Sequence, residues 1–203
     1  MSGVTATRSA VIGLREERKA MREGCAFLDE KCLLLAAAMM TEMRRLDALL
    51  AEMAPLRARA REALRLALSR HGLHGLQCQP ALDRGTRRVV VRERSLLGVH
   101  LHDAVVEGAA GLALAAANPS PEARECRAAF AALLDPLVRM AAMSANLARL
   151  QAEYKRTARR VRALEDVVLP EIEGDLESME GTLAELEQDE ALWARFGRAG
   201  KRK

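Results

Sequence analysis

The chain has 203 residues, 50% of them hydrophobic and 30% charged, yet only 2% aromatic, with a formal net charge of +4. Alanine and leucine supply about a third of the residues, a composition of long helices and coiled coils that excludes a sandwich or an α/β enzyme with a thick core. The mild positive excess has no stacking aromatics beside it, which excludes a nucleic-acid surface.

Thr5 or Thr7 can cap a first helix. Behind them Val11, Leu14, Met21, Cys25, Leu28, Cys32, Leu35, Met39, Met43, Leu46, Leu50 and Met53 recur at alternating steps of three and four. That stripe predicts a coiled-coil seam, with a stutter in the four-plus-four step from Leu35 through Met39 to Met43. Cys25 and Cys32, one heptad apart, read as packing residues rather than ligands. Pro55 is expected to kink or end the first section, and His71-Gly72 to stop the helix.

A different composition follows. Thr86 to Arg92 is β-branched, Leu96 to Leu101 continues it, and together they predict a short hairpin. Gly108 to Pro121, rich in Ala and Gly, reads as loop. Ser120-Pro121-Glu122 supplies an N-cap, a proline at the first helical position and an acid in the first turn, so a second long helix starts near 121. Its stripe runs Leu147, Leu150, Tyr154, Val161, Leu164, Val168, Ile172, Leu176, Met179, Leu183, Leu186 and Trp193, with a stutter around Pro170; Pro136 is expected to bend it early.

The expected fold is mainly α: a long antiparallel two-helix coiled coil of the N- and C-terminal helices, with a small hairpin-containing insert. The segments are 1–70, 71–120 and 121–203. About 75 residues of helix reach roughly 110 Å and need a partner along their length. Arg15, Arg18, Lys19, Arg22 and Lys31 are available opposite the acids that run from Glu165 to Glu190 without a Lys or Arg among them.

Little points to chemistry. Gly108-Ala109-Ala110-Gly111 lacks the lysine and flanking elements of a phosphate loop, Ser95, Ser120 and Ser144 lack nucleophile-elbow glycines, and the carboxylates lie on a solvated helix face. His71, His74, His100 and His102, with Cys78 and Asp103 nearby, match no metal-ligand spacing, and no metal or other cofactor is expected. Four widely spaced cysteines without a CxxC pair or signal peptide suggest a reducing, cytoplasmic setting. No apolar run is expected to reach the ~18 residues of a membrane span.

The stretch Tyr154 to Glu165, containing Thr157, Arg159, Arg160, Val161, Arg162, Ala163 and Leu164, resembles a segment of the D subunit of the V/A-type rotary ATPases. That family carries a Thr-x-Arg-Arg-Val-Asn-Ala-Leu-Glu stretch, then a β-branched run and a proline, here Val167-Val168-Leu169-Pro170. Leu183 to Phe196 is similar to the family's acidic end and basic tail. Leu14, Arg18, Arg22, Gly24, Leu28 and Lys31 resemble its N-terminal pattern, and Leu96-Leu97-Gly98-Val99 its hydrophobic-Met-Gly-Val element. Arg162 stands where the family usually has Asn, and Cys32-Leu33 replaces a charged pair, so the chain looks like a divergent bacterial member.

The resemblance implies a non-catalytic central rotor stalk that carries torque between the nucleotide-binding ring of A and B subunits and the membrane ion-translocating ring during ATP hydrolysis or synthesis. Its implied partners are the A, B and F subunits and the funnel-like subunit above the membrane ring, with no membrane insertion of its own and a cytoplasmic place at the inner membrane. Expected contact residues are Thr157, Arg159, Arg160, Arg162 and Glu165 on the helix, and Val89, Val91, Leu97, Gly98 and Val99 on the hairpin. The alternative is a coiled-coil stalk or chaperone acting on a secretion-system ATPase ring; a zinc enzyme using the histidines ranks behind both.

Overall fold

A computed structural model describes residues 7–80, 85–111, 116 and 118–200, with side chains as far as residue 195. Thr5, part of the loop before Pro121 and the basic tail Lys201 to Lys203 lie outside the described residues. The elements are α1 (Arg8–Gln77), β1 (Arg88–Leu96), β2 (Val99–Glu107), α2 (Pro121–Ala132), α3 (Leu134–Ala163), a π turn (Leu164–Val168) and α4 (Leu169–Gly200). The chain is thus mainly helical, with one small antiparallel sheet between two long helical regions. It packs as two compact units, Met1–Leu34 with Tyr154–Lys203, and Leu35–Glu153.

Prolines and caps decide where the helices begin and change. Thr7 Oγ1 accepts from the Ala10 amide at 3.2 Å, capping α1, and Ser120 Oγ accepts from the Ala123 amide at 3.1 Å, capping α2 with Pro121 behind it. α1 does not end at Pro55 but runs on through it; its one residue with non-helical φ/ψ is Gly72, at φ 68 and ψ 174, before a last short piece to Gln77. Gly72 adopts its positive φ without a Cβ penalty. Pro136 does not bend an established helix. It lies in the first turn of α3, where a missing N–H has no intrahelical partner to lose. Pro170 coincides with the expected stutter: the preceding turn widens to π geometry, and the Leu169 amide reaches back five residues to the Leu164 carbonyl.

In the unit formed by the termini, the first part of α1 runs antiparallel to α4. Arg8, Arg15 and Arg22 bond Glu187, Glu180 and Glu173 at 2.6, 2.7 and 2.6 Å. Each step of seven residues forward on α1 is a step of seven back on α4, the spacing of a heptad seam. Lys19 instead pairs along its own helix with Glu23 at 3.9 Å. Val11, Cys25, Thr157, Val161, Ile172 and Leu176 are buried in this unit.

In the other unit Leu35, Val99, Leu101 and Leu150 form one core and Ala60, Ala63, Ala67, Cys126, Ala129 and Leu133 a second. Each large apolar side chain fully buried there contributes about 1.5–3 kcal/mol relative to exposure. The small alanines let α1 and α2 approach closely, with Arg59 bridging to Glu125 at 2.5 Å. The seam of α1 departs from the expected stripe beyond Met39. Met43 and Leu50 are exposed, while Glu42, Leu49 and Met53 are buried, so the three-four spacing continues without a stutter and places a carboxylate in the seam.

The hairpin also differs in detail. Its turn is Leu97-Gly98, both at positive φ (52° and 83°), rather than part of the second strand, and β2 continues to Glu107. Two central residues at positive φ match the right-handed twist of the strands. At Gly108 a Cβ would fall 2.3 Å from the Thr86 carbonyl oxygen, so only glycine lets the chain close past that point.

One helical run, Pro121–Arg195, holds an 18-residue window of mean hydropathy 1.4, 17% of it buried, which is long and apolar enough by length and composition to cross a membrane. This corrects the expectation that no such stretch exists. Residues 128–148 carry just two charges, Asp135 and Arg139, and their alanines raise the mean.

Candidate functional site

The expected contact residues fall on two separate surfaces, one in each unit. On the helical surface Arg159, Arg160, Arg162 and Glu165 are exposed, whereas Thr157 is buried. Thr157 belongs to the helical packing, where a polar side chain takes a seam position. None of the three arginines forms an ion pair among the described residues, so three cationic heads stand in solvent within four positions of one another. Downstream the acids of α4 meet α1 through the ladder, and beyond Glu187 the helix exposes Leu192 and Trp193, the latter at 77%. An indole left so bare near a helix end is an apolar handle of the kind that protein interfaces favour.

On the hairpin Val89 and Val91 are each 55% exposed, and Leu97 and Gly98 form the exposed turn, while Val99 is buried in the core with Leu35, Leu101 and Leu150. β1 and β2 pair from Arg88 opposite Glu107 to Leu96 opposite Val99. What holds this ribbon in place has no signature in the sequence. Glu42, 3% exposed on α1, accepts a short charge-assisted bond from Arg94 of β1 and another from Arg45 at 3.1 Å. Arg94 Nε also lies 3.4 Å from Asp103 on the neighbouring strand. A buried carboxylate is costly unless it is paired and hydrogen-bonded, and the hairpin arginine supplies both.

Asn146, fully buried on α3, makes a second attachment. Its Oδ1 accepts from the His102 amide and its Nδ2 donates to the His102 carbonyl, each at 2.8 Å. Asp135 accepts from the Val106 amide at 3.4 Å. The only sequence signal for Asn146 is a polar residue at seam spacing, four before Leu150.

The histidines do not converge. His71 Nε2 is 2.6 Å from Ser120 Oγ, His100 pairs with Glu93, and the His102 backbone is held by Asn146. Among the described residues no group of three or more His, Cys, Asp or Glu side chains could hold a metal ion. Burial, and then the charges of Glu165 and Asp29, push the Cys25 thiol up from its ordinary pKa; burial does the same at Cys126. Both are protonated packing groups rather than nucleophiles.

The profile of the ATP synthase D subunit family matches residues 10–194. The chain belongs to that family. The match takes in both terminal helical segments and the hairpin. Among curated relatives, the V-type proton ATPase D subunit of Arabidopsis thaliana is 35% identical over 74 residues, covering 36% of this chain and 28% of that protein. The V-type ATP synthase D subunits of Deinococcus deserti and Deinococcus radiodurans are each 38% identical over 60 residues, covering 30% of this chain and 27% of theirs. The matched stretch thus spans little more than a quarter of the length of these relatives.

Proposed function

We propose that the chain is the central rotor-stalk component of a V/A-type rotary ATPase, turning inside a ring of nucleotide-binding A and B subunits. It couples, together with the F subunit and a funnel-like subunit, to the ion-translocating ring in the membrane. In this role it is non-catalytic and works on the cytoplasmic side, peripheral to the inner membrane. Nucleotide chemistry belongs to the ring, and this chain converts shaft angle into different contacts at successive ring interfaces, a population shift driven by differential binding.

The observation that carries this reading is the antiparallel pairing of the terminal segments through Arg8, Arg15 and Arg22 in a chain matched by the family over residues 10–194. A shaft must resist twisting, and a heptad-spaced pair with cross-helix ion pairs does so without a thick core. It leaves Arg159, Arg160 and Arg162, together with Leu192 and Trp193, on the outside. We assign the arginines to acidic ring surfaces and the exposed hairpin to the docking of a partner.

The test is assembly and coupling. With Arg159→Glu and Arg160→Glu combined, the chain should co-purify poorly with the A, B and F subunits, or the complex should hydrolyse ATP with reduced ion transport. Unchanged assembly together with fully coupled transport would remove the arginines from the interface. Failure of the unaltered chain to co-purify with the A and B subunits would remove the rotor reading itself.

A further inference from the structure

The two edges of the hairpin are treated differently. On β2, Asn146 takes both the amide and the carbonyl of His102, and Asp135 takes the amide of Val106. These backbone groups therefore point away from β1, and α3 seals that edge. In an antiparallel pair, a residue whose amide and carbonyl face outward lies opposite one that also faces outward. His102 is opposite Glu93, Ala104 opposite Val91 and Val106 opposite Val89. The backbones of Val89, Val91, Glu93 and, by the same alternation, Ser95 thus form the outer edge of β1. Among the described residues no other group bonds to that edge.

An open nine-residue edge is a template for another strand. Its side chains say which. Val89 and Val91 lie exposed on one face of β1; Arg88 and Arg92 lie on the other, held only by distant contacts to Glu107 at 4.0 and 3.6 Å. A strand added beside β1 would alternate its own side chains between an apolar face and a cationic one. A second copy of this chain would bring its own Arg88 and Arg92 against these, which is repulsive.

We propose that β1 accepts, by strand addition, an extended segment of a partner protein in which valine-like residues alternate with acidic ones. This rests on the reading of the hairpin as a docking surface and specifies how it docks. Main-chain bonds to Val89, Val91 and Glu93 give the affinity, and the alternation of apolar and acidic side chains sets the register.

The test uses the full chain and a capped seven-residue peptide alternating valine or threonine with glutamate. A lysine-for-glutamate version and a version N-methylated at every second residue serve as comparisons. The glutamate peptide should slow amide exchange at Val89, Val91, Glu93 and Ser95, and the other two should bind at least tenfold more weakly. Val91→Pro removes an outward amide but no bond to β2, so it should leave the melting temperature nearly unchanged and weaken the peptide at least tenfold. The N-methylated peptide asks the same question without altering the protein. No binding of the glutamate peptide at millimolar concentration, equal binding of the lysine peptide, or indifference to both Val91→Pro and N-methylation would each overturn strand addition. A dimer of the chain that Val91→Pro abolishes would overturn the partner segment instead, because the added strand would then be a second copy's. In the assembled complex, loss of docking with Val91→Asp but not with Val91→Pro would sink strand addition while sparing the hairpin surface. Indifference to both would sink the two together.

Discussion

The side-chain amide of Asn146 pairs with the backbone of His102 in both directions, donating to its carbonyl and accepting from its amide at 2.8 Å each. A helix thereby imitates the next strand of a sheet. Asn146 is fully buried and His102 partly so, and Asn146→Ala strands two backbone groups and should cost about 1–3 kcal/mol. Asn146→Asp keeps the acceptor, loses the donor and sets a carboxylate against a carbonyl, so it should not rescue. Urea denaturation checks the cost, and faster amide exchange at His102 locates it.

Glu42 and Arg94 should behave as a unit. Removing one partner, as in Glu42→Ala, leaves Arg94 only its longer contact to Asp103 at 3.4 Å and should cost about 1.5–3 kcal/mol. Replacing both by apolar residues, Glu42→Leu with Arg94→Met, should cost less than the sum of the single changes. A double-mutant cycle on thermal stability reads this directly, and strictly additive costs would mean that the pair holds nothing.

The ladder of Arg8, Arg15 and Arg22 lies largely in solvent. Each arginine replaced by alanine should change stability by no more than about 1 kcal/mol, and the differences should shrink in 1 M salt, where screening acts over about 3 Å. Melting curves at low and high salt suffice. A loss of several kcal/mol from any one arginine would show that the rungs do more than align the helices.

Thiol chemistry should sort Cys78 from Cys25 and Cys126. Exposed Cys78 should react first with an aromatic disulfide reagent at pH 8, while Cys25 and Cys126, buried and with thiolate formation disfavoured, should react only on unfolding. The linkage has a sign. Both thiols have folded-state pKa values above their unfolded values, so above about pH 8.5 the unfolded chain releases protons that the folded chain retains, and stability falls as pH rises. Below that pH these groups contribute no slope. Thermal melts from pH 7 to 10 should therefore fall at the alkaline end, less steeply with Cys25→Ala and Cys126→Ala combined.

The helices and the hairpin are legible in the sequence because their signals are local. Thr7 and Ser120 cap, Pro121 opens a helix, and β-branched residues flank a glycine turn. The phase of the α1 seam beyond Met39 is hidden because it passes through a charged residue. Steps of three and four from Met39 reach Glu42, Leu46, Leu49 and Met53, and only the aversion to a buried carboxylate obscures the pattern. Its justification is Arg94, distant in sequence and delivered by the hairpin. Asn146 escapes notice for the same reason, since a polar seam residue is intelligible only once its partner is known. Of the expected contact residues, Thr157 and Val99 face inward among exposed neighbours, because one position reverses the direction of a side chain on a strand and turns it by about 100° on a helix.

The regularity of the arginine ladder leaves one matter to other residues. A repeat of seven matches itself when slid by seven: moved one heptad along, Arg8 would face Glu180, Arg15 would face Glu173 and Arg22 would meet Asp166. Charge alone therefore cannot tell one axial alignment from the next. Among the described residues the π turn at Leu164–Val168 is a feature that does not repeat every seven residues, so sliding by a heptad would carry it to face different side chains of α1. The choice between alignments one heptad apart therefore falls to features that do not repeat, and the widened turn beside Pro170 is one of them.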